Sequence, residues 1–114
     1  MMKKLLTLLF TLTITFSALG HAKLEAITPS NNAMLMHSPK ELALSFNHAV
    51  KAVKVVLKKK KGQVVNFSFK PSKHAQKQFK WALPKLSPAM YEVEWTILGS
   101  DGHKIKGSSE FMVH

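Results

Sequence analysis

From Leu24 onward the chain alternates apolar and polar residues in short runs divided by turn signals. Successive side chains of an extended segment point to opposite faces, so each run predicts a half-buried strand. Leu24, Ala26 and Thr28 share one face of the first run, and Thr28-Pro29-Ser30-Asn31-Asn32 ends it. Leu42, Leu44 and Phe46 alternate with Glu41, Ala43 and Ser45, and Val53, Val55 and Leu57 alternate with Ala52, Lys54 and Lys58. The pattern returns in Val65, Phe67 and Phe69, in Phe79, Trp81 and Leu83, and in Tyr91, Val93, Trp95 and Ile97. Ile105, Phe111 and Val113 supply the last run. Seven such runs and no helical pattern after residue 20 predict an all-β domain, a seven-stranded Greek-key β-sandwich of the immunoglobulin-like or cupredoxin-like kind. Pro71, Pro84 and Pro88 fall between strands or at their ends, where proline is tolerated. Residues 58–61 with Gly62 predict a hairpin tip. By analogy with many seven-stranded sandwiches, the first and last strands are expected as parallel neighbours that start at the same end of the molecule.

Residues 1–20 break this pattern. Lys3 and Lys4 precede the apolar run 5–16, and Ala18-Leu19-Gly20 puts small residues where a signal peptidase reads. The run is too short for a membrane-spanning helix. Residues 1–20 are therefore expected to be a cleaved export signal, with an uncleaved membrane anchor as the alternative. Residues 21–114, 94 in number, form the single mature domain.

A domain of this size buries about 60–65% of its unfolded surface. No cysteine is present, so even an oxidising compartment offers it no disulfide. The lack of thiolates also argues against finger-type zinc and excludes iron–sulfur clusters. There are 17 basic residues, all lysine, against six acids; removing residues 1–20 takes the formal charge from +11 to +9. Such a charge attracts anionic partners. Without arginine's bidentate fork, specific reading of nucleic acid is not expected. No nucleophile motif or phosphate loop appears, and Glu92 and Glu94 sit on a polar face with no histidine beside them. Enzymatic activity is not expected.

The chemistry concentrates at two places. Cleavage after Gly20 leaves His21 with a free α-amino group, and that amine and the ring Nδ1 close a six-membered ring on one metal ion. Asp101-Gly102-His103 offers a carboxylate and a second imidazole two residues apart, hence on one side of an extended segment. Gly102 between them allows a tight turn or close backbone approach. Three nitrogens and one oxygen suit a tetragonal Cu(II) ion, so one Cu(II) per chain is expected on His21, Asp101 and His103. Affinity should rise with pH, because the amine, with an ordinary pKa of about 7.7–8.0, must lose a proton. On its own Asp101-Gly102-His103 reads as a hairpin turn with a surface histidine. The amino-terminal histidine tips the balance towards a metal.

Met34, Met36 and His37 form a soft donor set suited to Cu(I). The favoured alternative is a loop whose methionines pack beneath the sandwich edge. His48 is expected as a surface or hydrogen-bonded side chain, His74 lies in a lysine-rich loop, and His114 ends the chain. Trp81 and Trp95 are expected in the core.

Four motifs in order carry a family resemblance. They are His21-Ala22-Lys23-Leu24 followed by Thr28-Pro29-Ser30; the P-x-x-L-x-L-x-F run from Pro39 to Phe46; a run from Leu83 to Trp95 similar to L-P-x-L-x-P-G-x-Y-x-V-x-W; and a run from Ser100 to Gly107 similar to S-x-D-G-H-x-x-x-G. Over the whole mature chain they resemble the CopC-type copper-resistance proteins, the CopC/YobA-like family of small periplasmic β-sandwiches. The resemblance implies a periplasmic, monomeric Cu(II)-binding protein serving copper tolerance, homeostasis or delivery. Its ligands would be the His21 amine and imidazole, Asp101 and His103, and its partner an inner-membrane copper transporter or another periplasmic copper protein. The chain departs from the family at Asn47-His48-Ala49-Val50-Lys51, where some members carry a methionine-rich Cu(I) loop, and at Ala89, where glycine is usual. Two other readings stay open. One is a copper oxidase of the polysaccharide-cleaving type, which also chelates through a first histidine but is disfavoured by Asp101 and the short chain. The other is a metal-free immunoglobulin-like module whose lysines meet an anionic surface.

Overall fold

The computed structural model describes residues 22–114; the expected export signal and His21 lie outside the described residues. Seven strands form: β1 (Leu24–Thr28), β2 (Ala33–Leu35), β3 (Glu41–Lys59), β4 (Val64–Val65), β5 (Gln76–Ala82), β6 (Ala89–Leu98) and β7 (Lys104–Val113). The all-β, seven-stranded fold expected from the alternation is the fold observed. The strands make one curled, mixed sheet along the path β1-β3-β6-β7-β2, with β4 and β5 also paired to β3.

The seven strands are not the seven runs. The runs around Leu44 and Val55 are a single 19-residue strand, β3. No proline or glycine interrupts residues 41–59, so nothing in the local chemistry stops the extended chain. Leu42, Leu44, Phe46, Val50 and Ala52 all point into the core. A register shift between Ala52 and Lys54 then takes up Val53 as a bulge and resets the phase, so Val55 and Leu57 are buried and Val53 only half so. A bulge also corrects the first run. The register slips between Leu24 and Ala26, and Leu24 and Ile27 pack on the core while Ala26 and Thr28 are exposed. The run 65–69 keeps its inward side chains, with Phe67 buried, but only Val64 and Val65 pair as strand.

The first half of β3 pairs with β1 and β5, the second half with β6 and β4. One strand thus serves both layers, and the core lies between them. β7 has β2, not β1, as its parallel neighbour, which corrects the expected pairing of first and last strands. The cause is a side chain in the loop before β2. Asn31 Oδ1 accepts from Ser109 Oγ (3.2 Å) and from the Glu110 N–H (3.0 Å), and Asn32 N–H donates to the Glu110 carbonyl (2.6 Å). These bonds lay residues 33–35 along the free edge of β7. At the start of β6, buried Tyr91 donates its hydroxyl to the Ser87 carbonyl (2.6 Å), satisfying the one polar atom of a fully packed ring. Trp95 is buried as expected, whereas Trp81 is half-buried, stacked 5.7 Å from Phe79. Ala89 opens β6 opposite Val113 in ordinary strand geometry, so the position asks nothing of glycine.

Candidate metal site

Asp101 and His103 sit in the turn that joins β6 to β7. β6 ends at Leu98, opposite Lys104, and the five residues between close on themselves. Gly99 N–H donates to the His103 carbonyl (2.9 Å), and Gly102 N–H donates to the Gly99 carbonyl (3.0 Å). Gly102 takes φ 85°, a left-handed conformation that side chains disfavour. The Asp101 carboxylate then folds over the turn. Its Oδ1 accepts the His103 backbone N–H (3.1 Å) and its Oδ2 lies 3.1 Å from His103 Nδ1. Gly99 makes room for it, since a Cβ there would stand 3.0 Å from Oδ1.

A carboxylate oxygen and an imidazole nitrogen are donors that suit a first-row divalent ion. Oδ2 and Nδ1 face each other at 3.1 Å, a hydrogen-bond distance. Both side chains are accessible, at 68% for His103 and 40% for Asp101, so an ion can reach them without moving the core. Among the described residues no group of three or more metal-ligating His, Asp or Glu side chains comes together. The pair is thus half of the expected ligand set, whose other half, His21, lies outside the described residues.

The backbone says where the described chain leads towards that residue. β1 and β6 are both antiparallel to β3 and share one of its edges, because β4, Ser72 and β5 run back along the other. On the shared edge β1 begins with Leu24 opposite Phe46, and β6 ends with Leu98 opposite Lys51. Lys23 is pinned in the gap between them. Its N–H donates to Asn47 Oδ1 (2.6 Å), and its carbonyl accepts the Asn47 N–H (3.0 Å). Ala22 is buried at 8%. Read backwards, the chain from Lys23 heads along β3 towards Leu98 and the turn that follows it. Asn47, which anchors Lys23, is a residue that sequence reasoning missed. Its only local signal is that asparagine pairs well with a neighbouring backbone.

The remaining candidates separate. Met34 and Met36 do not pack beneath the sandwich edge; they are 70% and 71% exposed, which corrects that expectation. Strand β2 alternates Ala33 and Leu35 inward with Met34 outward, and Met34 falls in register with Met112 and, across β7, with Met90. His37, His48, His74 and His114 are all exposed. At the far end of β3, Lys60 lies 2.7 Å from Glu110, and that hydrogen bond, with the carboxylate's charge, raises the lysine pKa above its ordinary value.

The chain matches CopC from Methylosinus trichosporium OB3b with TM-score 0.68 and 26% identity, over 82% of this chain and 93% of that one. It matches PcoC, a methionine-rich copper resistance protein from Escherichia coli, with TM-score 0.68 and 21% identity, over 83% and 100% of the two chains. Protein YobA of Escherichia coli K12 is 30% identical over 112 residues, covering 95% of this chain and 90% of YobA. The model of the CopC domain matches residues 24–114, and the chain belongs to the CopC family. Proteins of this family are periplasmic, bind copper and are not enzymes.

Proposed function

We propose that the chain is exported, loses residues 1–20, and as residues 21–114 binds one Cu(II) ion in the periplasm. The ligands are the His21 amine and imidazole, Asp101 and His103. The observation that carries the proposal is the convergence on one edge of β3: Lys23, two residues after His21, is held on Asn47, and the Asp101–His103 turn follows Leu98 opposite Lys51. Four donors from the protein nearly fill the preferred plane of Cu(II), which suits holding the ion rather than reacting at it. The exposure of His103 and Asp101 gives a partner's ligands access to the ion, so the cargo can pass to an inner-membrane transporter or another periplasmic copper protein.

Two variants test the ligand set. One extra residue before His21 turns its amine into an amide while leaving every side chain in place. His103→Ala removes the second imidazole from an exposed turn. Even outer-shell changes weaken metal sites about 10–100-fold, so each variant is expected to lower Cu(II) affinity at least about 100-fold. The electron paramagnetic resonance spectrum should report a changed donor set. An extended protein that binds Cu(II) as tightly as residues 21–114, with the same spectrum, rules the amino-terminal chelate out.

A further inference from the structure

The outward face of β3, β6 and β7 is unevenly charged. Counting away from the Asp101–His103 turn, the first register row across the three strands is Lys51, Leu98 and Lys104. The next is Lys54, Thr96 and Lys106. All four lysines are exposed, and neither row holds a carboxylate. The acids of this face come later and are already engaged. Lys58 lies 3.4 Å from Glu94 and 3.8 Å from Glu92, and Lys60 lies 2.7 Å from Glu110. Among the described residues Lys51, Lys54, Lys104 and Lys106 form no ion pair.

The surface there is concave. A depression of about 460 Å³ is lined by the polar side chains of Lys54, Glu94, Thr96, Lys106 and Ser108, with Val56, Trp95 and Gly107 between them. Lys54 and Lys106 flank Thr96 on neighbouring strands, so their backbones are about 9–10 Å apart. That is close to the Debye length of about 8 Å at physiological salt, so their fields overlap in the hollow. Glu94 is engaged by Lys58 at 3.4 Å, so Lys54 and Lys106 set the sign of the field in the hollow. A concave surface dominated by one sign concentrates counter-charge and speeds the encounter with an oppositely charged partner.

We propose that this face docks an acidic segment of a partner protein, whose Asp or Glu carboxylates lie between the lysines of the two rows. A protein segment fits better than an extended polyanion. The positive field covers only two rows and gives way to Glu94 in the third, and the lining includes the hydroxyl-bearing Thr96 and Ser108, which can hydrogen-bond carboxylates. Lys104 directly follows His103, so a docked partner stands beside the copper site proposed above. The purpose of docking rests on that proposal; the docking itself does not require copper.

The test uses residues 21–114 without metal and a fluorescent peptide rich in Asp and Glu, followed by anisotropy at low and physiological salt. Lys54→Glu with Lys106→Glu should weaken peptide binding at least about tenfold. Lys77→Glu with Lys80→Glu on β5 makes the same change in net charge on another face and should leave binding within about twofold. Backbone amide shifts on peptide addition should centre on Thr96 and Lys106. Equal loss in the two double variants would reduce the effect to net charge and overturn the docking face. Binding to phosphatidylglycerol vesicles but not to the peptide, abolished by Lys54→Glu with Lys106→Glu, would make it a membrane face and overturn the proposal as well. His103→Ala should bind the peptide normally while losing copper, so failure of the copper site and failure of the docking face read out separately.

Discussion

Gly107 pairs with Trp95 across β6 and β7, and the indole lies directly over it. A Cβ at Gly107 would stand 2.5 Å from the ring, inside any real contact distance. Trp95 is 7% exposed and cannot step aside without disturbing its buried neighbours. Gly107→Ala should therefore destabilise the fold by about 1–3 kcal/mol, seen as a lower denaturant midpoint with little change in slope. Trp95→Phe leaves a smaller ring. In a double-mutant cycle it should recover part of the Gly107→Ala loss, although Trp95→Phe alone is destabilising. The position was visible in the sequence only as the last letter of a motif. Its reason appears once the register sets an indole opposite it.

Strand β2 shows how one polar side chain can decide an element. Three residues are too few to form a strand alone, and Pro29, Asn31 and Asn32 read locally as loop. Asn31 Oδ1 accepts two hydrogen bonds from β7, one of them from the buried Ser109 hydroxyl. Asn31→Ala leaves both donors unmet and should cost about 1–3 kcal/mol. Hydrogen exchange should locate the change. The amides of residues 33–35 and His114, whose N–H donates to the Leu35 carbonyl at 2.8 Å, should lose protection first, while β3 and β6 stay protected. Uniform loss of protection across all strands would mean that β2 is not a separately anchored element.

The whole molecule has a small core, no cysteine for a disulfide and a high positive charge, so the Cu(II) ion proposed to join its amino terminus to the β6–β7 turn should matter to its stability. A ligand that binds only the folded state adds about 2.7 kcal/mol when present at 100 times its Kd. For a domain of this length, that corresponds to a rise in Tm of roughly 10–20 °C. Residues 21–114 should show this rise with Cu(II) in calorimetry, and the same protein with one residue added before His21 should show little of it. Equal stabilisation of both would mean that the copper responsible binds elsewhere.

Much of this protein is written in its linear pattern. Alternation along 42–46, 79–83 and 91–97 marks the buried face correctly, because the strand period is a local property of extended backbone. The Asp101-Gly102-His103 turn is equally local, since a left-handed glycine between two polar side chains closes it without help from the rest of the fold. The family motifs were legible for the same reason. What the pattern could not decide was every feature that depends on a distant partner. The fusion of two runs into β3 requires β6 and β5 to take over its pairing in turn. The bulge at Val53, which chooses Val55 over Val53 for burial, is set by the register against β6. The exposure of Met34 and Met36 follows from β2 lying along β7, and the grouping of Lys51, Lys54, Lys104 and Lys106 exists only across three paired strands. Side-chain period is a property of single segments, whereas register, edges and shared faces arise from hydrogen bonds between segments far apart in the chain.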